Sequence, residues 1–166
     1  LSSMSAVGGE IQLTLNANLT QIDGLASITY PPSRLRITEN IGLTSIDGVS
    51  NLVATGGDVI LQENATLTNV DGFSSLENVG SRLYIEDNPA LTNLDGLSSL
   101  ETTGSDFNLN RNNSLDDISG LSSLNAVGQR LYIQSNPNLC TADAESLSAG
   151  ITVASTIYIS GNKTCE

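Results

Sequence analysis

The chain has 166 residues, 39% of them hydrophobic, with 18 acidic and 6 basic side chains, no histidine and a formal net charge of −12. This is one domain's worth of chain, with enough Leu, Ile and Val for a continuous core. The acidic balance excludes nucleic acid as a partner, since that binding needs clustered Lys and Arg, and argues against anionic membrane surfaces. No apolar run approaches the ~18 residues that insertion into a membrane requires.

A unit of 24 residues recurs along nearly the whole chain. Residues 1–18 align with its second half and form a partial first coil, with Leu1 matching Leu121, Met4 matching Leu124 and Gly8 matching Gly128. Five regular coils follow over 19–138, beginning at Leu19, Leu43, Leu67, Leu91 and Leu115. An irregular sixth begins at Leu139 and makes a C-terminal cap over 139–166. A fixed period of this size marks a solenoid, in which each repeat buries its apolar face only against its neighbours. The expectation is a single all-β domain over 1–166, a parallel β-helix (solenoid) of 24-residue coils with a short C-terminal capping helix. Because the first coil begins in mid-repeat, and an open solenoid end exposes core and strand edges, the chain reads as part of a longer polypeptide.

Within each coil the first signal is a strand. Leu35/Ile37, Val59/Leu61, Leu83/Ile85, Phe107/Leu109 and Leu131/Ile133 alternate with polar residues at period two, which is a strand buried on one face. Ile11/Leu13 and Ile157/Ile159 extend the column to seven parallel rungs. Just before each strand's first buried residue lie Glu10, Arg34, Asp58, Arg82, Asp106 and Arg130. Their sign alternates at every step, so each charge should lie between opposite ones and hold the stacking register. As exposed pairs they should each contribute only a few tenths of a kcal/mol.

After each strand comes an asparagine: Asn16, Asn40, Asn64, Asn88, Asn112, Asn136 and, after a two-residue insertion, Asn162. A side-chain amide both accepts and donates, so such a column can satisfy itself as an inward structural Asn ladder. The alternative is a row of exposed turn residues. Next come Leu19-Thr20, Leu43-Thr44, Leu67-Thr68, Leu91-Thr92 and Leu115-Asp116, with Leu inward and Thr outward. Asp23-Gly24, Asp47-Gly48, Asp71-Gly72 and Asp95-Gly96 then read as turns, Asp capping nearby amides and Gly accepting positive φ. Stacked acids could instead hold calcium, but Ser119-Gly120 replaces the pair once. Leu25/Ile28, Val49/Leu52, Phe73/Leu76, Leu97/Leu100 and Leu121/Leu124 fill the third side. A second glycine column (Gly8, Gly56, Gly80, Gly104, Gly128) marks another corner, taken over by Pro31-Pro32 beside Tyr30 in the Leu19 unit.

In the last unit Thr141 can N-cap a short helix, with Asp143 and Glu145 in its first turn and Gly150 beyond its end. Cys140 and Cys165 flank this unit, where a solenoid end needs tying down, and read as a disulfide. The alternative is two unrelated buried thiols. A surface rich in Ser, Thr, Asn and Asp with one cysteine pair fits an extracellular setting.

The leucine-rich spacing, with Asn-Pro-Asn-Leu-Cys at 136–140 and Gly-Asn-Lys-Thr-Cys at 161–165, resembles the receptor L domain found in ectodomains of growth-factor and insulin-type receptors. The resemblance covers essentially the whole chain. It implies a right-handed β-helix, protein or glycan recognition outside the cell, and no catalytic residues. The regular Asp-Gly form is more similar to bacterial or protist surface proteins, and the family's usual N-terminal cysteines are absent.

For function, the residues themselves disfavour an enzyme. Without His and with both cysteines paired, nucleophilic and zinc chemistry have few candidates, and the acids follow the repeat as structural acids do. Glu39, Glu63 and Asp87 form one acidic row, either a solvated edge beside the ladder or a low-affinity calcium site, the single candidate for a metal cofactor. The outward strand positions Gln12, Arg36, Ile60, Tyr84, Asn108, Tyr132 and Tyr158 vary while the interior stays fixed. Tyrosine suits protein and sugar contacts, although β-propensity alone also places it on exposed strands. Arg36, Ile60, Tyr84, Asn108, Tyr132 and Tyr158 are therefore the candidate ligand-binding residues of a non-enzymatic cell-surface recognition or adhesion module, facing a protein or glycan on another surface. Ice binding through Thr20, Thr44, Thr68 and Thr92 is a second reading, and a structural spacer a third. Of four glycosylation sequons, at Asn18, Asn64, Asn112 and Asn162, only Asn18 lies outside the inward column.

Overall fold

Alternating apolar residues repeated every 24 positions stack as parallel strands. In a computed structural model of the chain, which describes residues 8–29 and 31–165, seven strands form one parallel sheet in chain order: Glu10–Thr14, Arg34–Thr38, Val59–Gln62, Leu83–Glu86, Phe107–Asn110, Leu131–Gln134 and Ile157–Ser160. Leu1, Met4 and Tyr30 lie outside the described residues. The register is one coil per rung, with Ile11, Leu35, Val59, Leu83, Phe107, Leu131 and Ile157 side by side. A second parallel sheet, of two-residue strands at Ala54–Thr55, Asn78–Val79, Thr102–Thr103, Ala126–Val127 and Thr152–Val153, follows the third side. Five 3-10 turns, Asp23–Leu25, Asp47–Val49, Asp71–Phe73, Asp95–Leu97 and Ser119–Leu121, stack on each other. The fold is thus a β-rich, solenoid-like pile, and its core is the space the three sides enclose. The Leu, Ile, Val and Phe columns predicted to point inward are buried in one continuous cluster, except at the ends of the stack, where Leu13, Leu19 and Ile159 are partly buried and Ile157 is exposed.

The asparagines do form the ladder. Asn88 illustrates it: its backbone N–H donates to Oδ1 of Asn112 at 3.1 Å, and its Nδ2 donates to the carbonyls of Leu61 at 2.9 Å and Glu86 at 3.0 Å. Its own Oδ1 accepts from the backbone N–H and Nδ2 of Asn64. The pattern repeats from Asn16 to Asn162, where the two-residue insertion is absorbed and Asn136 still donates to Asn162 at 3.0 Å. Asn40, Asn64, Asn88, Asn112 and Asn136 are wholly buried. Each ladder residue follows a residue with left-handed backbone: Leu15, Glu39, Glu63, Asp87, Arg111, Ser135 and Gly161, with φ between 54° and 68°. This bend turns the strand's last peptide inward so that the amide can reach the coils on either side.

The Asp-Gly corners form through different physics from that expected. None of their described glycines has positive φ; Gly161 is the one described glycine that does. A Cβ on Gly72 would lie 1.9 Å from the carbonyl oxygen of Ile46, and one on Gly96 1.9 Å from that of Val70. Glycine is needed because successive 3-10 turns touch backbone to backbone. The capping side chain is not the Asp either but the residue two before it. Asn69 accepts from the Asp71 N–H at 3.2 Å, Asn93 from Asp95 at 3.1 Å, and Asp117 from Ser119 at 2.7 Å.

The C-terminal unit differs from expectation in two ways. The helix runs Thr141–Gly150, so Cys140 rather than Thr141 holds the N-cap position, without a side-chain capping bond, and Gly150 ends the helix instead of lying beyond it. The helix also leaves the core open. It replaces the missing 3-10 turn and packs beside Thr152–Val153 and Ile157–Ser160, within the last coil rather than over it. Ile157, in a core column, is consequently 42% exposed. The disulfide is present, with Cys140 and Cys165 Cα atoms 5.6 Å apart. It is reinforced by backbone bonds from Thr141 N–H to Lys163 and from Lys163 N–H to Leu139, both 2.8 Å. Among the described residues, no helix is long and apolar enough to cross a membrane.

Two stability predictions follow from these contacts. Asn88→Ala orphans buried donors and acceptors on three coils and should cost at least about 2 kcal/mol in a urea titration, whereas the exposed first rung, Asn16→Ala, should cost less. Gly72→Ala should cost about 1–3 kcal/mol or more by overpacking. Gly56→Ala should be nearly silent by the same measurement, because its Cβ would meet nothing closer than 3.7 Å.

Candidate recognition face

Period-two alternation sends every second strand residue outward, so the seven-stranded sheet presents three parallel rows. The central one is the predicted row: Gln12, Arg36, Ile60, Tyr84, Asn108, Tyr132 and Tyr158 lie directly side by side. Tyr132 and Tyr158 stack with ring centroids 4.7 Å apart and planes 5° from parallel. Arg82 and Arg130 sit over the rings of Tyr84 and Tyr132, each 5.6 Å from the centroid. Ile60 and Asn108 are buried between the taller side chains beside them. From Arg36 to Tyr132 the row is therefore an ordered strip of alternating high and low positions.

The charge row flanks it, and its geometry corrects one expectation. Arg82 binds Asp58 through Nε at 3.1 Å and Nη2 at 2.9 Å, and Arg130 binds Asp106 through the same atoms at the same distances. Arg34 adds a longer contact of 3.2 Å to Asp58 and one of 3.8 Å to Glu10. These pairs are not symmetrically exposed. The Arg82 side chain is 43% exposed but that of Asp58 only 4%, and each buried carboxylate also accepts the backbone N–H of its arginine at 3.1 Å. The acids are thus structural anchors for the strand edge, and solvent meets guanidinium. Burial pushes the Asp58 carboxyl up, but hydrogen bonds from Arg82 and Ser81 outweigh it and hold the pKa at about 2, below the usual 3.8. Hydrogen bonding to Arg130 likewise depresses Asp106.

The third row, which the sequence reading passed over, is Thr14, Thr38, Gln62, Glu86, Asn110, Gln134 and Ser160. Its side chains bond to one another: Thr14 with Thr38, Gln62 and Asn110 onto Glu86, and Gln134 onto Ser160. The signal was available in the hydrogen-bonding residue types two places beyond each central-row residue.

Glu39, Glu63 and Asp87 occupy the left-handed positions beside this row. Asp87 is clamped by Arg111 at 2.8 and 2.7 Å, and no group of three His, Cys, Asp or Glu among the described residues could hold a metal ion. The acidic row is an edge, part of it paired. Thr20, Thr44, Thr68 and Thr92 form an exposed row on another side, where the Thr44 and Thr92 hydroxyls donate to the carbonyls of Thr20 and Thr68. Asn64 and Asn112 are wholly buried, while Asn18 is exposed. A cleft of about 380 Å³ lies between the last 3-10 turn and the helix, lined by Asp117, Ile118, Asp143 and Leu147 among others.

The chain matches no protein-family model, no curated protein and no solved structure.

The depressed Asp58 pKa has a direct pH consequence. A group whose pKa is lowered on folding contributes stability above its unfolded value, and that contribution fades as the pH falls through the folded one. Wild-type protein should lose stability between about pH 4 and pH 2, measured by thermal melting. Asp58→Asn should start less stable and lose less across the same window.

Proposed function

We propose that this protein is a non-enzymatic recognition or adhesion module of the cell surface, and that it contacts a protein or glycan through the outer face of its large sheet. The observation that carries this reading is the central row. Seven aligned positions vary freely in type above an interior that repeats almost unchanged, and the tyrosines among them are held in fixed orientations by stacking and by arginine. Rigid tyrosines supply contact area at low entropic cost, which is what recognition surfaces use. Arg36, Ile60, Tyr84, Asn108, Tyr132 and Tyr158 are the contact residues in this proposal.

The winding is proposed to be that of a right-handed parallel β-helix, the hand overwhelmingly favoured for parallel crossovers and the one implied by the resemblance to the receptor L domain. An extracellular setting belongs to the same reading, and the disulfide supports it.

The decisive variant is Tyr84→Ala/Tyr132→Ala. It should fold normally by circular dichroism and lose at least about tenfold in binding to whichever cell surface retains the wild-type protein. Undiminished retention would move the site off this face.

A further inference from the structure

We infer that the ligand of this face is an uncharged linear polysaccharide lying along the stacking axis, across the strands. This rests on the recognition reading above and adds the chemical class of the ligand. The first observation is where the charge lies. The face carries four arginines (Arg34, Arg36, Arg82, Arg130) and four acids (Glu10, Asp58, Glu86, Asp106). Setting these aside leaves two of the chain's 6 bases and fourteen of its 18 acids, so the whole net charge of −12 sits elsewhere. A polyanion would be repelled by the surrounding surface, and a polycation would be drawn to the acidic sides instead. The neutral face suits a ligand with no charge.

The second observation is what the face offers. Apart from Ile60 and the tyrosine rings, it presents amides, hydroxyls, guanidinium groups and the carboxylates of Glu10 and Glu86, all of which bind hydroxyl-rich ligands. The Arg82 and Arg130 clamps use Nε and Nη2, so Nη1 of each lies outside the carboxylate clamp. The amides of Gln62 and Gln134 are oriented by their neighbours in the third row. These groups therefore pay little conformational entropy on binding.

The third observation is periodicity. Parallel strands are ~4.8 Å apart, so the polar groups recur at that interval over roughly 29 Å from Gln12 to Tyr158. Tall side chains at Arg36, Tyr84 and Tyr132 recur at roughly 10 Å, with Ile60 and Asn108 low between them. A linear β-linked glycan advances by a similar rise per sugar, with alternate units facing opposite ways. It therefore meets this surface in register, sugar after sugar. A globular protein partner without a repeat of its own offers no such match.

The test is affinity electrophoresis of the native protein in gels containing xylan, glucomannan, mixed-linkage β-glucan or hydroxyethyl cellulose, with heparin and alginate as charged controls. Retardation is expected in at least one uncharged polymer. It should fall about tenfold or more in affinity for Tyr84→Ala/Tyr132→Ala, fall partially for Tyr132→Phe, which keeps the ring stack, and persist for Thr44→Ala/Thr68→Ala. Because the chain has four Tyr and no Trp, tyrosine fluorescence should also change on adding the matching hexasaccharide. Retardation by heparin or alginate alone, lost in the tyrosine double variant, would overturn the uncharged ligand and leave the recognition face standing. Absence of retardation in every polymer would overturn the glycan, and cell-surface binding of the same variants would then decide the face itself. Retardation unchanged in the tyrosine variants would overturn both.

Discussion

Everything in this molecule depends on one distance being the same at every step: the separation between a side-chain amide and its equivalent in the next coil. Each inward asparagine takes hydrogen bonds from the asparagine of the coil before and gives a backbone bond to that of the coil after, while its Nδ2 reaches back to a carbonyl of the coil before. A buried amide without its partners carries a large desolvation cost, so one coil of the wrong height penalises two neighbours. The left-handed residue before each asparagine follows from that demand. So does glycine at the 3-10 corner, because turns stacked at this spacing leave no room for a Cβ beneath the preceding carbonyl. The apolar columns supply most of the burial, but they are tolerant of sliding in a way that directional amides are not.

Much of this was legible in the residues because it recurs by type. The 24-residue period, the strand alternation, the asparagine column and the sign-alternating Glu10-to-Arg130 row all keep their chemistry from coil to coil. What escaped was carried by backbone rather than by side chains. The left-handed row is filled by Leu15, Glu39, Glu63, Asp87, Arg111 and Ser135, which share no property visible in a sequence. At the 3-10 turns the familiar Asp-Gly pair suggests the cap, whereas Ser45, Asn69, Asn93 and Asp117, two places before the Asp or Ser, do the capping. The depth of Asp58 and Asp106 could not be read from alternating signs, since pairing says nothing about which partner is covered. The open last strand escaped for a similar reason: a helix and a disulfide suggest closure, yet their placement within the coil leaves Ile157 showing.

The candidate site was half legible. Its central row follows from strand parity, and the tyrosines stand where parity puts them. The stacking of Tyr132 on Tyr158 and the seating of Arg82 and Arg130 over rings needed the register, because these partners are one coil, or two residues, apart. The arginines consequently serve two purposes. One edge of each guanidinium fastens a buried carboxylate that holds the strand, and its face fixes a tyrosine that solvent can reach. Strand anchoring and the setting of the exposed tyrosines therefore share the same side chains along this edge.

The amide bonds joining any coil to the next are nearly the same whichever pair is chosen, while the charge row repeats only every second coil. A gene that duplicated or dropped two units together would thus leave every remaining junction intact and change only how long the rod is. Reach and number of rungs would grow together, in steps of two strands, without a new fold having to be found.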